Sequence, residues 1–189
     1  MPHFFKHFPS VSYDMLAKGN KKDLVTNPLA RYKILDTLRN LSAVYYTHNV
    51  AEGQSAQFIA RQYYDDETLD WVIFIVNDII DPYYDWPLDY RDFNNYVKGK
   101  YGTVETAMNT NHHYEYVYQE KSILFDGTVV PEKLYEVDLT TYNTLPVSSR
   151  RAISSYTYEE RKNDAKREIK ILKRSYLSAL LDETERVFR

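Results

Sequence analysis

The chain has 189 residues, of which 43% are hydrophobic and 27% charged, values typical of a folded protein with an ordinary core. It has no cysteine, which excludes disulfides, thiolate metal sites and thiol nucleophiles and is consistent with a reducing compartment. The net charge is only −3, but residues 65–92 carry nine acidic side chains and one basic, whereas residues 161–174 carry seven basic and two acidic. These segments are either two solvated faces or complementary contact surfaces within the chain or between neighbours.

Tyrosine is unusually abundant, with 19 residues against only 5 glycines. Its ring offers a large, rigid contact area with a polar tip, and tyrosine is enriched in protein–protein interfaces. The same abundance also suits a tyrosine-rich core and surface, so both interpretations stay open on composition alone.

Hydropathy gives no indication of a targeting or membrane segment. The N-terminal sequence MPHFFKHFPSV lacks the sustained apolar region of a signal peptide. The apolar run from Trp71 to Val76 has six residues, far fewer than the roughly 20 needed to span a bilayer. We therefore expect no membrane partner.

Residues 1–42 predict an N-terminal arm followed by a helix. The arm, residues 1–26, looks irregular and contains three phenylalanines that we expect to act as anchors: Phe4, Phe5 and Phe8. Asn27 and Pro28 are typical of a helix start, because asparagine caps the first turn and proline fits the first helical position. Apolar residues then recur at three-residue steps, so we expect the helix to continue to about residue 40.

Residues 43–102 predict a β-α-α unit with a further helix. Alternation over residues 43–50 indicates a strand, Gly53 permits a tight turn, and Gln54 or Ser55 opens the first helix. A second helix is expected over residues 67–76, and its apolar side chains on nearly every face predict burial.

The helix that follows this unit is predicted over residues 87–100. Asp89 caps its start, and Gly99 and Gly102 end it.

The C-terminal half predicts a β-hairpin region, a linker and one long helix. In residues 103–142, Asp126-Gly127 lies between two β-rich runs, a strong hairpin signal. Residues 143–157 are polar and contain a proline, which indicates a linker. Residues 158–189 contain neither glycine nor proline, which favours a single helix. The predicted fold class is therefore α+β.

That long helix carries more apolar surface than one contact would cover. Its apolar residues fall on two stripes, Ile169, Leu172, Tyr176, Leu180 and Val187 on one and Leu177, Leu181 and Phe188 on the other. Its basic residues form a further face: Arg161, Lys162, Lys166, Arg167, Lys170, Lys173 and Arg174. The helix is expected to pack on its own domain and on a partner, or to dimerise. The acidic middle of the chain disfavours nucleic acid as the partner of the basic face.

The stretch from Tyr63 to Trp86 is the most informative part of the chain. Its apolar run is followed at once by Asp81-Pro82, a proline-fixed turn that carries large aromatic residues. We expect a protein-docking surface formed by this turn and the C-terminal helix. The candidate residues are Asp81, Pro82, Tyr83, Tyr84, Trp86, Tyr90, Lys170, Lys173, Arg174, Tyr176, Leu177, Leu180, Leu181 and Phe188.

The sequence shows no pattern that carries chemistry. Phosphate-binding glycine loops and the G-x-S-x-G motif are missing. His112 and His113 are expected on opposite sides of a strand, and the histidines lack helical metal-ligand spacing. The trio Asp78, Asp81 and Asp85 lacks the alternating ligands of a calcium loop. We therefore predict no catalytic residue, metal, cofactor or small-molecule substrate.

Short matches to a known module follow one another between residues 46 and 82. They are Val50-Ala51-Glu52-Gly53-Gln54-Ser55, Phe58-Ile59-Ala60 with Tyr63, Leu69, and Asn77 with Ile79 to Asp81. In this order they resemble a LysM module, a small βααβ unit best known for binding N-acetylglucosamine polymers. The closing strand is not visible, since the chain continues into Asp85-Trp86-Pro87. A glycan-binding module remains the alternative, with a groove between the Gly53 turn and the turn at 77–81.

A longer pattern joins this unit to three further segments. They are L-x-W-V-I-F-x-V-N-D-x-x-D-P-Y-Y-x-W from Leu69 to Trp86, HHYEY from His112 to Tyr116, and Ile169-Lys170-Ile171-Leu172-Lys173. Together they resemble the LysM-domain baseplate wedge subunit of T-even-like contractile-tailed phages, over most of the chain. The resemblance implies a structural, non-enzymatic virion protein, assembled in the host cytoplasm. It implies contacts with other wedge proteins and neighbouring wedges, and with the tail hub or sheath-initiating proteins.

Overall fold

The computed structural model describes residues 8–14, 19, 22–27, 29–30, 33–34 and 41–187. Their strands are β1 (Ser10–Tyr13), β2 (Asp23–Thr26), β3 (Tyr45–Asn49), β4 (Asn111–Gln119), β5 (Ser122–Ile123), β6 (Val129–Val130), β7 (Lys133–Val137), β8 (Arg150–Ser154) and β9 (Glu168–Leu172). Their α-helices are α1 (Ala56–Tyr64), α2 (Asp70–Val76), α3 (Pro82–Asp85), α4 (Tyr90–Tyr101), α5 (Val104–Asn109), α6 (Leu139–Thr144), α7 (Ser155–Ala165) and α8 (Arg174–Val187). This mixture of helices and strands agrees with the predicted α+β class.

The chain divides into two units, and the second is an insertion into the first. The first unit comprises residues 1–87 and 166–189, and the second comprises residues 88–165. The first unit therefore depends on two segments that are distant in sequence.

In the first unit, β3 and β9 form a two-stranded antiparallel sheet against α1 and α2. Tyr45 lies opposite Leu172 in this sheet, and the core beneath it includes Ile171, which is completely buried. The predicted strand at 43–50 and the two predicted helices are confirmed. Ser55 caps α1 by accepting a hydrogen bond from the amide of Phe58.

The single helix predicted at 158–189 is wrong, because a strand interrupts it. Residues 168–172 alternate polar and apolar side chains, and Ile169 and Ile171 face the core. The amide of Val50 donates to the carbonyl oxygen of Arg167, which fixes the start of the pairing with β3. Tertiary pairing and burial therefore override the local helical propensity, as β-branched residues on a half-buried surface allow.

The linker predicted at 143–157 is also wrong, because this segment is structured. It contains the end of α6, a 3-10 turn at Val147–Ser149, and β8, which pairs with the central strand β4. The Arg150 guanidinium lies 4.7 Å from the Tyr142 ring centroid and donates to the Tyr142 carbonyl oxygen. These contacts join the two sides of the segment around Pro146, so a polar composition with proline marks a turn here and not a linker.

At the N-terminus, the arm expected to be irregular contains the antiparallel pair of β1 and β2. Phe8 is buried, whereas Phe4 and Phe5 lie outside the described residues. The predicted helix falls mainly on residues 28, 31–32 and 35–40, which also lie outside them. Its described residues, 29–30 and 33–34, are not helical. The Asn27 side chain accepts from the Leu29 amide, so Asn27 forms a local turn in the way asparagine commonly does.

In the second unit, β7, β4 and β8 form an antiparallel sheet, and a separate small core surrounds Phe93 and Val97 of α4. Asp89 caps α4 as predicted, and Gly102, with φ of +85°, ends it. Gly99 lies inside the helix and does not end it. The hairpin predicted at Asp126-Gly127 is confirmed as β5 and β6, whereas α5 and α6 were not anticipated in this region.

A buried polar side chain joins the two ends of this second unit. Asn163 accepts a hydrogen bond from the Leu88 amide at 2.8 Å and donates one to the Leu88 carbonyl oxygen at 2.9 Å. Because Asn163 is buried, both bonds are shielded from competition by water. The N-terminal and C-terminal ends of the inserted segment are therefore held next to each other.

Two buried carboxylates join α7 to other elements of the second unit. Glu159 accepts hydrogen bonds from Lys100 Nζ at 2.6 Å, Tyr101 Oη at 3.0 Å and Tyr96 Oη at 3.2 Å. Burial alone raises the pKa of Glu159, but the hydrogen bonds from these groups and the charge of Lys100 more than offset it. The pKa of Glu159 is therefore held below its ordinary value.

The other buried carboxylate belongs to Glu115 on β4. Its Oε1 accepts from Arg161 Nη1 at 2.6 Å and lies 3.2 Å from His113 Nε2. This contact joins the central strand of the sheet to α7.

Candidate docking surfaces

The turn that follows α2 is fixed by its own carboxylates. Asp81 accepts from the Tyr83 amide at 3.0 Å, and Asp85 accepts from the amides of Ile80 and Asp81 at 3.1 and 3.0 Å. Pro82 occupies the first turn of α3, where its fixed φ is favourable. The sequence prediction of a proline-fixed turn is therefore confirmed as a single capped helical turn.

Two of the predicted aromatic residues extend from this turn into solvent. Tyr83 is 86% exposed and Tyr84 is 68% exposed. The backbone beneath them is fixed, so both rings are presented without a large ordering cost on binding. Tyr90 is also exposed, but it begins α4 and belongs to the second unit.

Trp86, in contrast, packs into its own unit. Its indole Nε1 donates to the Gln54 carbonyl oxygen at 3.0 Å, and its ring meets Phe74 edge-on with centroids 5.9 Å apart. The side chain is half-buried against the core of the first unit. Trp86 therefore connects the turn before α1 to α2.

We expect Trp86→Phe to lower the free energy of unfolding of the first unit by about 1 kcal/mol. Phenylalanine keeps much of the ring packing but loses the donor to Gln54, and a typical hydrogen bond contributes about that amount. Urea unfolding followed by circular dichroism measures the change. Tyr84→Phe is the matched control, since it also removes one polar group from an aromatic side chain, but from an exposed ring, where we expect no change in stability. Equal stability of the two variants would contradict a structural role for the indole.

The C-terminal helix α8 covers its own unit with the apolar residues predicted for docking. Leu177, Leu180 and Leu181 pack against the core of the first unit, whereas Tyr176 is 45% exposed. Phe188 lies outside the described residues. The two stripes predicted on one helix do not exist as such, since Ile169 and Leu172 belong to β9.

The predicted basic face is distributed over several elements. Lys170 lies on β9, where its backbone amide and carbonyl bond to the Asn77 side chain. Lys173 places Nζ 5.3 Å from the Tyr46 ring centroid. Arg174 forms an ion pair with Asp65. Of these three residues, Arg174 pairs with an acidic residue of the same unit, so the opposite charges noted in the sequence meet partly within one chain.

The adjacent histidines lie on the same side of their strand, contrary to the sequence prediction. The pairing of β4 with β8 shifts register between Asn111 and His113, and this bulge brings His112 Nδ1 and His113 Nδ1 to 2.9 Å. His112 also stacks on Tyr158 with ring centroids 3.7 Å apart. No group of three or more metal-ligating side chains occurs within the described part of the chain. The helices described include none long and apolar enough to cross a membrane.

One exposed apolar surface was not among the predicted docking residues. It lies at the tip of the hairpin formed by β5 and β6, where Ile123, Leu124, Phe125 and Val129 are exposed. The sequence places Ile123, Leu124 and Phe125 directly before the Asp-Gly turn, where the tip of a hairpin is expected. The hairpin was correctly predicted, but its side chains were assigned no role.

Both units present exposed aromatic side chains on fixed backbone turns, and because such side chains are frequent in protein–protein interfaces, these features favour the class of proteins that bind other proteins. The family model of base plate wedge protein 53 matches residues 32–187, so the chain belongs to this family of structural phage baseplate proteins. A search of curated proteins found no match.

Proposed function

We propose that this protein joins neighbouring wedges of the baseplate around the central hub through protein–protein contacts. Membership of the wedge family supports a structural baseplate role, and the exposed Tyr83 and Tyr84 on a capped turn support direct contact with a neighbour. Tyrosines on a rigid backbone lose little conformational freedom on binding and are frequent in energetically dominant contacts. The exposure of this tyrosine pair is the observation that carries the proposal.

The first unit is proposed to be a LysM-like module with a distant closing strand. The antiparallel pairing of β3 with β9 and the packing of α1 and α2 on this sheet support the assignment. In this arrangement the second unit is inserted before the closing strand. Trp86 donates to the Gln54 carbonyl oxygen beside the Gly53 turn and packs within the unit, and membership of the wedge family favours protein contacts for this module.

The proposed setting is the virion of a contractile-tailed phage related to the T-even group. The proposed partners are other wedge proteins, with the hub and sheath-initiating proteins as further candidates. Assembly in the host cytoplasm is consistent with a chain that contains no cysteine.

We expect the double variant Tyr83→Ala with Tyr84→Ala to bind purified wedges about tenfold more weakly, which corresponds to about 1.4 kcal/mol. Both rings are exposed, so their removal leaves the core of the first unit intact. Binding is measured by titrating each variant into wedges assembled without this chain. Electron microscopy of the products then shows whether neighbouring wedges have been joined.

The control for this experiment is Tyr83→Phe with Tyr84→Phe, which retains both rings. If the alanine variant joined wedges as well as the wild type, the turn would not be a wedge contact. Binding to insoluble peptidoglycan that the alanine variant lost would support a glycan-binding module in its place.

A further inference from the structure

The hairpin of β5 and β6 displays a cluster of apolar side chains at its tip. Every residue from Lys121 to Val129 is exposed, and Phe125 is fully exposed. Ile123 is 70% exposed on the strand that leads to it. Single exposed apolar residues are ordinary, but several on one projecting turn mark a contact surface.

This tip is held in one conformation. Asp126 Oδ1 accepts from the Thr128 amide at 2.9 Å, and Gly127 adopts φ of +83°, which side-chain-bearing residues rarely adopt. The Gly127 amide donates to the Leu124 carbonyl oxygen at 2.9 Å, and the Leu124 amide donates to the Thr128 carbonyl oxygen at the same distance. The apolar side chains are therefore presented on a preorganised turn.

The core of the second unit does not use these side chains. That core consists of Phe93, Val97 and Ala107 with the partly buried residues around them, and no hairpin residue belongs to it. The apolar composition of the tip therefore does not serve the folding of the described unit.

Two exposed tyrosines lie on the strands that lead to and from the hairpin. The register of β4 against β7 shifts between Val117 and Gln119, so Tyr118 is the extra residue of a bulge. Its ring lies 5.8 Å from the ring of Tyr135, measured between centroids, and both side chains are exposed. The two strands that support the hairpin thus carry exposed aromatic rings.

The charges of the hairpin limit the chemistry of its partner. Asp126 is the only charged residue between 122 and 130. Hydrogen bonds from Thr128 hold the pKa of Asp126 below its ordinary value, so its carboxylate is negative. At the base, Glu132 is paired with Arg151 at 2.7 Å. The nearest basic residues, Lys121 and Lys133, lie at the base of the hairpin. An apolar tip with one carboxylate complements an apolar pocket with a positive rim, and two lysines at the base fall short of the clusters of basic residues that attract anionic lipid.

We propose that this hairpin inserts Phe125 and its apolar neighbours into an apolar pocket with a positively charged rim on another protein of the baseplate wedge. The inference rests on the proposed function, since it supplies a second contact for the same assembly. Phe125 acts as the anchor in the pocket, and Asp126 sets the register against a cation at the rim.

The first test measures binding of full-length Phe125→Ser to wedges assembled without this chain. We expect affinity to fall at least tenfold while the thermal unfolding temperature stays unchanged, because the Phe125 side chain is fully exposed. Asp126→Asn retains a side-chain acceptor for the Thr128 amide, and we expect a weaker dependence of its binding on salt. Val147→Ser is the matched control, since Val147 is an exposed apolar residue of the same unit.

The second test places a photo-crosslinking amino acid at position 125 and identifies what it captures in assembled wedges. We expect a peptide of a wedge protein that contains lysine or arginine beside apolar residues. Wild-type affinity of Phe125→Ser would overturn the inference, and so would phosphatidylglycerol vesicles that bind the wild type but not this variant. If Phe125→Ser bound wedges with wild-type affinity while the Tyr83 and Tyr84 double alanine variant failed to join wedges, the hairpin inference would be rejected and the proposed function would be retained. Normal joining by both variants would overturn both proposals.

Discussion

Replacing Ile171 by alanine is expected to lower the free energy of unfolding of the first unit by about 2 to 5 kcal/mol. Ile171 is completely buried in β9, in the core that this strand shares with α1 and α2. Truncation removes buried methyl groups and leaves a cavity that the surrounding side chains only partly fill. Chemical unfolding monitored by hydrogen exchange measures the loss, because peptides from the first unit report it separately from those of the second.

The neighbouring substitution Lys170→Ala provides the control. The Lys170 side chain is exposed, and the contacts with Asn77 are made by its backbone, so we expect a change of about 0.5 kcal/mol or less. If residues 168–172 were part of a long solvated helix, the two alanine substitutions would have similar small effects. That outcome would reject the pairing of β9 with β3.

Replacing Glu159 by alanine is expected to destabilise the second unit by about 2 to 3 kcal/mol near neutral pH. Removal of one partner of a buried ion pair typically costs about 3 to 5 kcal/mol of stability. Because Lys100 is partly exposed, we expect a cost at or below the lower end of that range. Tyr96 and Tyr101 lose their acceptor in the same variant. Thermal unfolding of the two proteins gives the difference.

This contribution depends on pH in a defined direction. The pKa of Glu159 is lower in the folded protein than its ordinary value of 4.5. The stabilisation is therefore fully present above pH 4.5 and is lost as the pH falls through the folded-state pKa. The difference between wild type and Glu159→Ala should shrink on acidification, whereas the exposed neighbour Glu160→Ala should show little effect at any pH. A difference that stayed constant into strong acid would contradict the role of the charge.

Local signals predicted the elements that local interactions determine. Ser55 and Asp89 accept hydrogen bonds from backbone amides in the first turn of a helix, and Gly102 ends one. These interactions are local, so the sequence indicated their positions. The turn at Asp126-Gly127 was readable for the same reason. The α+β class and the capped turn before Trp86 followed from these signals.

Long-range pairing could not be predicted in this way. Residues 168–172 alternate polar and apolar side chains, but the segment is short and lies between two helical runs, and its partner strand at 45–49 is distant in sequence. The same argument applies to β8 and its partner β4. The docking prediction was limited for a related reason, because Leu177 and Leu180 lie on a helix whose apolar face the unit itself covers. The exposed pair Tyr83 and Tyr84 remains a prediction of a contact.

The insertion of residues 88–165 has a consequence for biosynthesis. The ribosome releases β3 long before β9, so the first unit cannot close its sheet until residues 168–172 have been made. When the second unit folds first, the bonds between Asn163 and Leu88 bring its two ends together and shorten the loop that must close. A chain that terminates before β9 would lack Ile171 and could not complete the first core. Nascent fragments are therefore expected to be degraded and excluded from assembling particles, so that completion of translation becomes a condition for incorporation.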